Sequence, residues 1–170
     1  NGRVAETFVE LNQRVEKGQP LLRLDSSEQQ ADVETARRRI AENEADMVVA
    51  ESRLAEAEGR IVQARGRLQQ ALEEFEARSQ ANRKTASTFA DREVERMRIR
   101  VDTEQGVLDS ALASHEATQS EIKFKLPAQK ASAEGELHEA EVDLRKTLVV
   151  AGTDGIVQQF ALREGDVVNP

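Results

Sequence analysis

The residue types that most often perform chemistry are sparse in this chain of 170 residues. It has no Cys, which excludes disulfides, thiolate metal sites and cysteine nucleophiles. Its two histidines, His115 and His138, would lie about 35 Å apart on one helix, too far to share a metal ion. No glycine-rich phosphate loop, nucleophile elbow or paired-histidine zinc motif is present. We therefore expect a protein that is not an enzyme and that holds no cofactor or metal.

The composition favours long helices over a compact globule. Only 38% of the residues are hydrophobic and 3% aromatic, so the chain lacks the bulk that a core of this size usually needs. The net charge of −8 argues against binding nucleic acid, whose phosphates would repel it. No apolar run approaches the ~18 residues of a membrane-spanning helix. Because the chain begins at Asn1 rather than Met and stops at Pro170 directly after an apolar pair, we expect it to be an excised fragment that lacks a membrane anchor or further domains.

The chain divides into three zones. Residues 1–25 and 147–170 contain short apolar stretches separated by turn residues, a pattern typical of β-strands. Residues 26–146 contain few Gly and one Pro and are dense in Ala, Glu, Arg, Gln and Leu, which favours helix.

The two end zones repeat each other. Asn and Gly both tolerate positive φ, so Asn12 and Gly165 are predicted to occupy equivalent turns. Two similar units at opposite ends imply one small pseudo-symmetric β domain built from both termini; the alternative is chance similarity. A shift of about 153 residues matches Gly2 with Gly155, Val4 with Val157, Asn12 with Gly165, Gln13 with Asp166 and Val15 with Val168.

The central zone opens with the helix N-cap signature Asp25-Ser26-Ser27-Glu28. A heptad seam, a line of core positions that would face a partner helix, follows this N-cap. Asn43 interrupts the apolar residues of the seam and is expected to fix its register. The seam predicts a partner helix that approaches closely, because one of its two core positions is mostly Ala. Bulky residues recur every seven positions at Val33, Ile40, Met47, Leu54, Ile61, Leu68 and Phe75, and three positions further on lie Ala36, Ala50, Ala57, Ala64 and Ala71.

A second seam runs through Val94, Val101, Leu108, His115 and Ile122, which makes His115 a tolerated polar seam residue. The phase then slips by four residues to Leu126, Ala133 and Ala140, a change that alters supercoiling locally. Pro127 lies at this slip and is predicted to kink the helix.

Between the seams, residues 82–88 are polar and lack a seam residue, so we expect a turn there, with Thr88 as a new N-cap. Two arms of about 58 residues, each about 85–90 Å long, would flank this turn. We predict a mainly α fold, in which a long antiparallel two-helix coiled-coil hairpin is inserted in a small β domain. One continuous helix pairing with other chains is the alternative, but it would not bring the two β halves together.

The tip of this hairpin is the candidate partner-binding site. A turn at the end of a long hairpin is well placed to contact a distant partner, and the alternative is a merely solvated turn. The residues concerned are Arg78, Asn82, Arg83, Lys84, Thr85, Ser87, Thr88 and Phe89.

The two ends resemble the lipoyl half-motifs of HlyD/EmrA-type membrane fusion proteins, the periplasmic adaptors of bacterial export systems. This resemblance implies a split lipoyl/biotinyl-like domain formed by residues 1–25 and 147–170 around a hairpin of residues 26–146. The first half is carried by Gly2-x-Val4, Asn12-Gln13-x-Val15-x-Lys17-Gly18-Gln19-Pro20-Leu21 and Leu24-Asp25. The second is carried by Asp143-Leu144-x-Lys146-Thr147-Leu148-x-Val150-Ala151, Asp154-Gly155-x-Val157 and Glu164-Gly165-Asp166-x-Val168. Gly18, Asp154, Gly155 and Gly165 are expected to shape the lipoyl turns.

The resemblance implies a non-catalytic periplasmic adaptor, anchored to the inner membrane in the full-length protein. Such an adaptor bridges an inner-membrane transporter towards an outer-membrane channel in the export of drugs or other substrates. Family members self-associate side by side, commonly as hexamers, and the tips of many meet a TolC-type channel. The alternative function is a structural coiled-coil scaffold that organises an envelope complex without export.

The tip departs from the family motif. Counting from Arg78, the family pattern has Leu four residues on and Ser seven further, whereas this chain has Asn82 and Phe89. Only Arg78 is carried over, which leaves the TolC-type partner open. A covalent carrier role is not expected, since carriers present a modifiable Lys at a turn between the halves and here Lys146 ends a helix.

Overall fold

The computed structural model describes residues 2–85, 88–159 and 161–168, and for residues 84–90 at most the backbone is described. The predicted fold class is confirmed: the chain is mainly helical, with antiparallel helical arms and small antiparallel sheets. None of the described helices is long and apolar enough to cross a membrane. The strands are β1 (Gly2–Thr7), β2 (Arg14–Val15), β3 (Pro20–Leu24), β4 (Leu148–Val150), β5 (Gly155–Ile156) and β6 (Val167–Val168). The helices are α1 (Ser27–Thr85), α2 (Thr88–Ser120) and α3 (Leu126–Lys146), with a π-helical segment Glu121–Lys125 between α2 and α3.

The chain forms two compact units. The terminal unit comprises Asn1–Asn43 and Gln129–Pro170, and the middle unit comprises Glu44–Ala128. Helices α1 and α3 contribute residues to both units. The division into residues 1–25, 26–146 and 147–170 groups the chain by element type and stays a prediction.

Both sheets of the terminal unit combine strands from the two ends of the chain. One sheet has the order β4-β3-β1-β6 and the other pairs β2 with β5, all antiparallel. Neither end supplies enough strands for a stable sheet, because an isolated two-stranded hairpin is marginal in water. The two ends therefore complete each other.

The predicted repeat is visible in the hydrogen bonds that join these ends. Gly2 pairs with Val168 in one half, and Gly155 pairs with Val15 in the other, as the shift of 153 residues requires. The backbone N–H of Val4 donates to Asp166 C=O at 2.8 Å and that of Val157 donates to Gln13 C=O at 3.0 Å. The same shift relates a second pair of bonds. Gly165 N–H donates to Val4 C=O at 2.9 Å, and Asn12 N–H donates to Val157 C=O at 2.7 Å. Chance similarity does not produce this correspondence, so the pseudo-symmetry is structural.

Three tight turns share one design that explains the residues at positive φ. Asn12, Gly18 and Gly165 have φ of 67°, 85° and 92°, a region that strongly favours Gly and tolerates Asn. Each is the third residue of a four-residue turn. In each turn, the backbone N–H of the first residue donates a hydrogen bond to a side-chain oxygen of the fourth residue. The donors and acceptors are Glu10 N–H to Gln13, Glu16 N–H to Gln19 and Arg163 N–H to Asp166, at 2.8, 3.1 and 2.8 Å.

Gly155 differs from the expectation that it shapes a turn through its conformation. It is the first residue of β5, its φ lies outside the left-handed region, and a Cβ there would meet nothing within 4 Å. The preceding residue is the one with a structural contact: Asp154 Oδ1 accepts a hydrogen bond from Lys17 N–H at 2.6 Å. This bond ties the turn of the C-terminal half to that of the N-terminal half.

The core of the terminal unit is small and aliphatic. Val9, Val15 and Ala151 form its buried cluster, with Leu21 and Val157 packed against it. Since every residue of the cluster comes from the strand zones, the two β halves share one core.

The middle unit confirms the heptad seams. Ala50, Ala57, Ala64 and Ala71 are buried, the last being only 1% exposed. Leu108 from α2 packs into a buried cluster with Ile61 and Ala64. The small Ala side chains therefore mark the line of contact between the arms, as in helix pairs whose small residues permit close approach.

The phase slip after Ile122 takes the form of a π turn. Leu126 N–H donates to Glu121 C=O, five residues back, which is the π-helical bond. Pro127 cannot donate a backbone hydrogen bond, so the regular α ladder has no partner for the carbonyl four residues before it. The phase slip predicted after Ile122 is thus present as an extra residue in one turn, which moves the seam to the buried Leu126, whereas the kink at Pro127 stays a prediction.

The conformation of Gly165 predicts an asymmetry between two glycines. Gly165→Val should destabilise the terminal unit by about 1–3 kcal/mol, because a β-branched residue is strained at positive φ. Gly155→Val should stay within about 0.5 kcal/mol of the parent, because its φ and its surroundings accommodate a side chain. Urea unfolding followed by amide hydrogen exchange in β1 measures both, and equal stabilities for the two variants would contradict the assignment.

The seam predicts a second asymmetry, between two alanines of α1. Ala64→Leu should cost about 1–3 kcal/mol of unfolding free energy, because Ala64 is 3% exposed and the added atoms overpack the contact with Leu108. Ala77→Leu, at an exposed position of the same helix, should change stability by less than about 0.5 kcal/mol. Thermal unfolding followed by circular dichroism compares them; tolerance of Leu at both positions would argue against a close seam.

Candidate partner-binding site

The predicted site lies where α1 ends and α2 begins. Arg78 and Arg83 are exposed in the last turns of α1, and Asn82 is half-buried between them. Ala86 and Ser87 lie outside the described residues. Lys84 and Thr85 end α1 and Thr88 and Phe89 begin α2, but the side chains of these four lie outside what is described.

Asn82 connects the two arms. Its Nδ2 donates to Asp91 Oδ1 at 2.7 Å. Asn82 is one of the tip residues predicted from the sequence, where it departs from the family motif, and in the structure its amide has an intramolecular partner; its part in docking stays a prediction. Asn82 therefore helps to hold the start of α2 against the end of α1, and the exposed groups described here are the guanidinium groups of Arg78 and Arg83.

The surface around the tip is basic, although the whole chain is acidic. Residues 78–100 contain seven Arg or Lys and three Asp or Glu, in a chain of net charge −8. Arg100 contacts Glu74 across the arms at 2.6 Å, and Arg96 and Arg98 contact Glu93 and Glu95 on their own helix. Arg78, Arg83 and Arg92 form no ion pair with another described residue. The tip residues predicted from the sequence end at Phe89, whereas the basic segment continues to Arg100, and the signal that marks it is the local excess of Arg and Lys over Asp and Glu.

An open cleft of about 910 Å³ lies in the terminal unit. Arg39 of α1 binds Glu136 of α3, and Lys146 lies 2.7 Å from Asp143 of the same helix. Further acidic residues also line the cleft, namely Glu28, Asp32 and Glu139. No group of three or more His, Asp or Glu in the described part of the chain is arranged to hold a metal ion. The cleft therefore combines two ion pairs with an excess of acidic side chains.

Asp25 marks the start of α1 and is held by Ser27. Its Oδ1 accepts the Ser27 hydroxyl at 2.7 Å and the Ser27 N–H at 3.0 Å. These hydrogen bonds, aided by the charge of Arg3, lower the pKa of the Asp25 carboxyl, since they favour its ionised form. The predicted N-cap signature thus acts through Asp25, two residues before Ser27, the first residue of α1.

Neither His115 nor His138 belongs to a group of three or more potential metal ligands among the described residues. His115 is half-buried on the seam, with Nε2 3.7 Å from Glu58 Oε1, and His138 is exposed on α3. The seam interpretation of His115 agrees with this position.

The Asp25 contacts predict a pH-dependent difference in stability. The pKa of Asp25 is lower in the folded state than in the unfolded state. Its contribution to the unfolding free energy is therefore fully present above the unfolded-state pKa of about 3.9. This contribution is lost as the pH falls through the folded-state pKa. Asp25→Ala should lower the unfolding midpoint of the terminal unit at pH 7 and match the parent near pH 2. Asp25→Asn is the control, because it keeps an oxygen acceptor and removes the titration. A gap between parent and Asp25→Ala that persists at pH 2 would refute the electrostatic account.

Comparison with known proteins supports the fold. No protein-family model and no curated protein sequence matches the chain. Among solved structures, MacA from Actinobacillus actinomycetemcomitans is similar with a TM-score of 0.53 and 24% identity, over 99% of this chain and 42% of that one. The periplasmic adaptor protein EmrA gives a TM-score of 0.48 and 18% identity, over 98% and 65% of the two chains. The membrane fusion protein Spr0693 from Streptococcus pneumoniae R6 gives 0.38 and 19%, over 91% and 46%.

This chain therefore spans less than two thirds of the length of each of these structures. The likeness to MacA covers nearly all of the present chain and shows the fold, a helical hairpin between two β halves. The resemblance to membrane fusion proteins inferred from the terminal motifs is thus confirmed at the level of fold.

Proposed function

We propose that this chain is the hairpin-bearing part of a periplasmic adaptor that joins an inner-membrane transporter towards an outer-membrane channel. The observation that carries the proposal is the architecture shared with MacA over 99% of the chain, in which two β halves from opposite ends close into one unit. The adaptor works without catalysis and serves the export of drugs or other substrates. In the full-length protein it is anchored to the inner membrane and self-associates, and a hexamer is the form we expect.

The hairpin tip is the surface that we propose for the distal partner. Arg78 and Arg83 present exposed guanidinium groups, which suit carboxylate acceptors because of their forked geometry. The excess of basic residues between positions 78 and 100 favours a partner whose docking surface is acidic. Lys84, Thr85, Ser87, Thr88 and Phe89 complete the proposed surface. Asn82 contributes by fixing the arms beneath it through Asp91.

A TolC-type outer-membrane channel is the partner we expect, reached through a tip that differs from the family motif at Asn82 and Phe89. A scaffold without export would share the fold, so the tip and the transport of a substrate are the discriminating observations. Deletion of the protein should abolish export of at least one substrate, whereas a scaffold would leave export intact.

A cross-link from the tip tests the bridging role directly. The given chain has no Cys, so in a full-length protein in which any other Cys is replaced by Ser, Thr85→Cys provides a single attachment point for a short photoactivatable reagent in living cells. We expect an adduct with an outer-membrane channel, and none from Gln63→Cys, which is exposed on the arm. Adducts confined to inner-membrane proteins would overturn the bridging proposal.

Charge reversal at the tip should reduce that adduct. Arg78→Glu combined with Arg83→Glu should lower its yield about tenfold, since the loss of two exposed charge contacts of about 0.7 kcal/mol each amounts to the ~1.4 kcal/mol of a tenfold change. Arg67→Glu, on an exposed arm position away from the tip, is the matched control. An unchanged yield from the double variant would show that the basic surface takes no part in docking.

A further inference from the structure

The cleft of the terminal unit is large enough for a drug-sized molecule. Its volume of about 910 Å³ falls within the range of about 300–1,000 Å³ that is usual for small-molecule sites. The first turns of α1 and the last turns of α3 form its walls, and all of its lining residues belong to the terminal unit. Leu24, Ala36, Ala140 and Val168 contribute apolar surface. The cleft can therefore accommodate an apolar body.

The charge of this cleft is negative, because its acidic side chains outnumber its basic ones by six to three. Each basic group already interacts with a carboxylate, the pairs being Arg39 with Glu136, Lys146 with Asp143 and Arg3 with Asp25. The acidic side chains that form no ion pair with another described residue are Glu28, Asp32 and Glu139. The uncompensated charge favours a cationic ligand.

Acidic side chains reach the cleft from both walls. Glu28 and Asp32 are four residues apart on α1 and share one face of that helix. The ion pair between Arg39 and Glu136 sets the antiparallel level of α1 and α3, which places Asp32 level with Asp143 of α3. The helix ends add little, because the positive N-terminus of α1 and the negative C-terminus of α3 oppose each other at the cleft. A cation between the walls would therefore be attracted by carboxylates on both sides.

Gln29 adds an observation that does not depend on these charges. It lines the same cleft, and its side-chain oxygen Oε1 is buried without a hydrogen-bond partner among the described residues. A buried acceptor without a donor is unfavourable, and a ligand with an N–H group would satisfy it. The terminal amide of Gln turns readily about χ3, so this oxygen can face the cleft.

We propose that the cleft binds an organic cation, in which a positively charged nitrogen group with at least one N–H is carried on an apolar body. The carboxylates of Glu28, Asp32 and Glu139 attract the charge, and Gln29 accepts the N–H. A metal ion suits the cleft less well, because no group of three or more His, Asp or Glu among the described residues is arranged to hold one. The proposal goes beyond the adaptor role and does not depend on it.

Planar dyes of matched shape test the charge of the ligand. Thionine is a cation with amino N–H groups, methylene blue is its fully N-methylated relative without N–H, and resorufin is an anion. Equilibrium dialysis against the chain, with the dye measured by visible absorbance, compares their affinities at ~0.1 M salt, where a Debye length of about 10 Å screens distant charges. We expect thionine to bind at least tenfold more tightly than resorufin. Equal affinities, or no saturable binding of thionine, would overturn the proposal.

Matched charge variants locate the site. Asp32→Asn combined with Glu139→Gln should weaken thionine binding about tenfold, which corresponds to ~1.4 kcal/mol. Glu51→Gln combined with Asp102→Asn makes the same charge change at exposed positions of the middle unit, and the affinity should stay within about twofold of the parent. Circular dichroism checks that both variants keep their helix content. An equal loss in the two variants would indicate attraction by the whole acidic surface and overturn the site.

Gln29→Leu tests the hydrogen bond. Thionine binding should weaken about 2–10-fold, the range of one hydrogen bond, because the variant has no acceptor for its N–H. Methylene blue is the control, and its affinity should be unchanged because it has no N–H to donate. An unchanged affinity for thionine, or an equal loss for both dyes, would contradict the ligand chemistry that we propose.

Discussion

The structure depends on the backbone hydrogen bonds that join the first residues of the chain to the last. Strands of two to six residues cannot form a stable sheet by themselves, so neither end folds without the other. Val4 and Val157 show how closely the two ends correspond, because each both donates to and accepts from a turn of the opposite half. The segment of about 120 residues between the ends must therefore begin and end at the paired strands. Two antiparallel helical arms meet this requirement.

Small residues lie on two faces of α1 with different surroundings. Along the seam, Ala57 and Ala64 are buried and permit close contact with α2. On the opposite face, Gly59 and Gly66 are exposed, and a Cβ at either position would meet nothing within 4 Å. The same helix thus has one face that packs against α2 and another that is exposed to solvent.

The tip combines a structural contact with an exposed charge. Asn82 bonds Asp91 and joins the arms, and Arg78 and Arg83 remain exposed around it. The basic segment follows an otherwise acidic chain, so the proposed docking surface differs in charge from the rest of the molecule. That difference supports a partner of opposite charge at the tip.

Much of this architecture was determined by the sequence alone. The heptad spacing predicted both seams because period is a local property, and the shift of 153 residues predicted paired β halves because Asn12 and Gly165 occur at equivalent positions. The sequence could not show which glycines are conformationally required. Gly165 has positive φ and Gly155 does not, since φ depends on how the strands pair. Nor could it show that Asn82 is engaged by Asp91, or that His115 lies 3.7 Å from Glu58. Those features depend on the register between arms distant in sequence, and only tertiary packing decides that register.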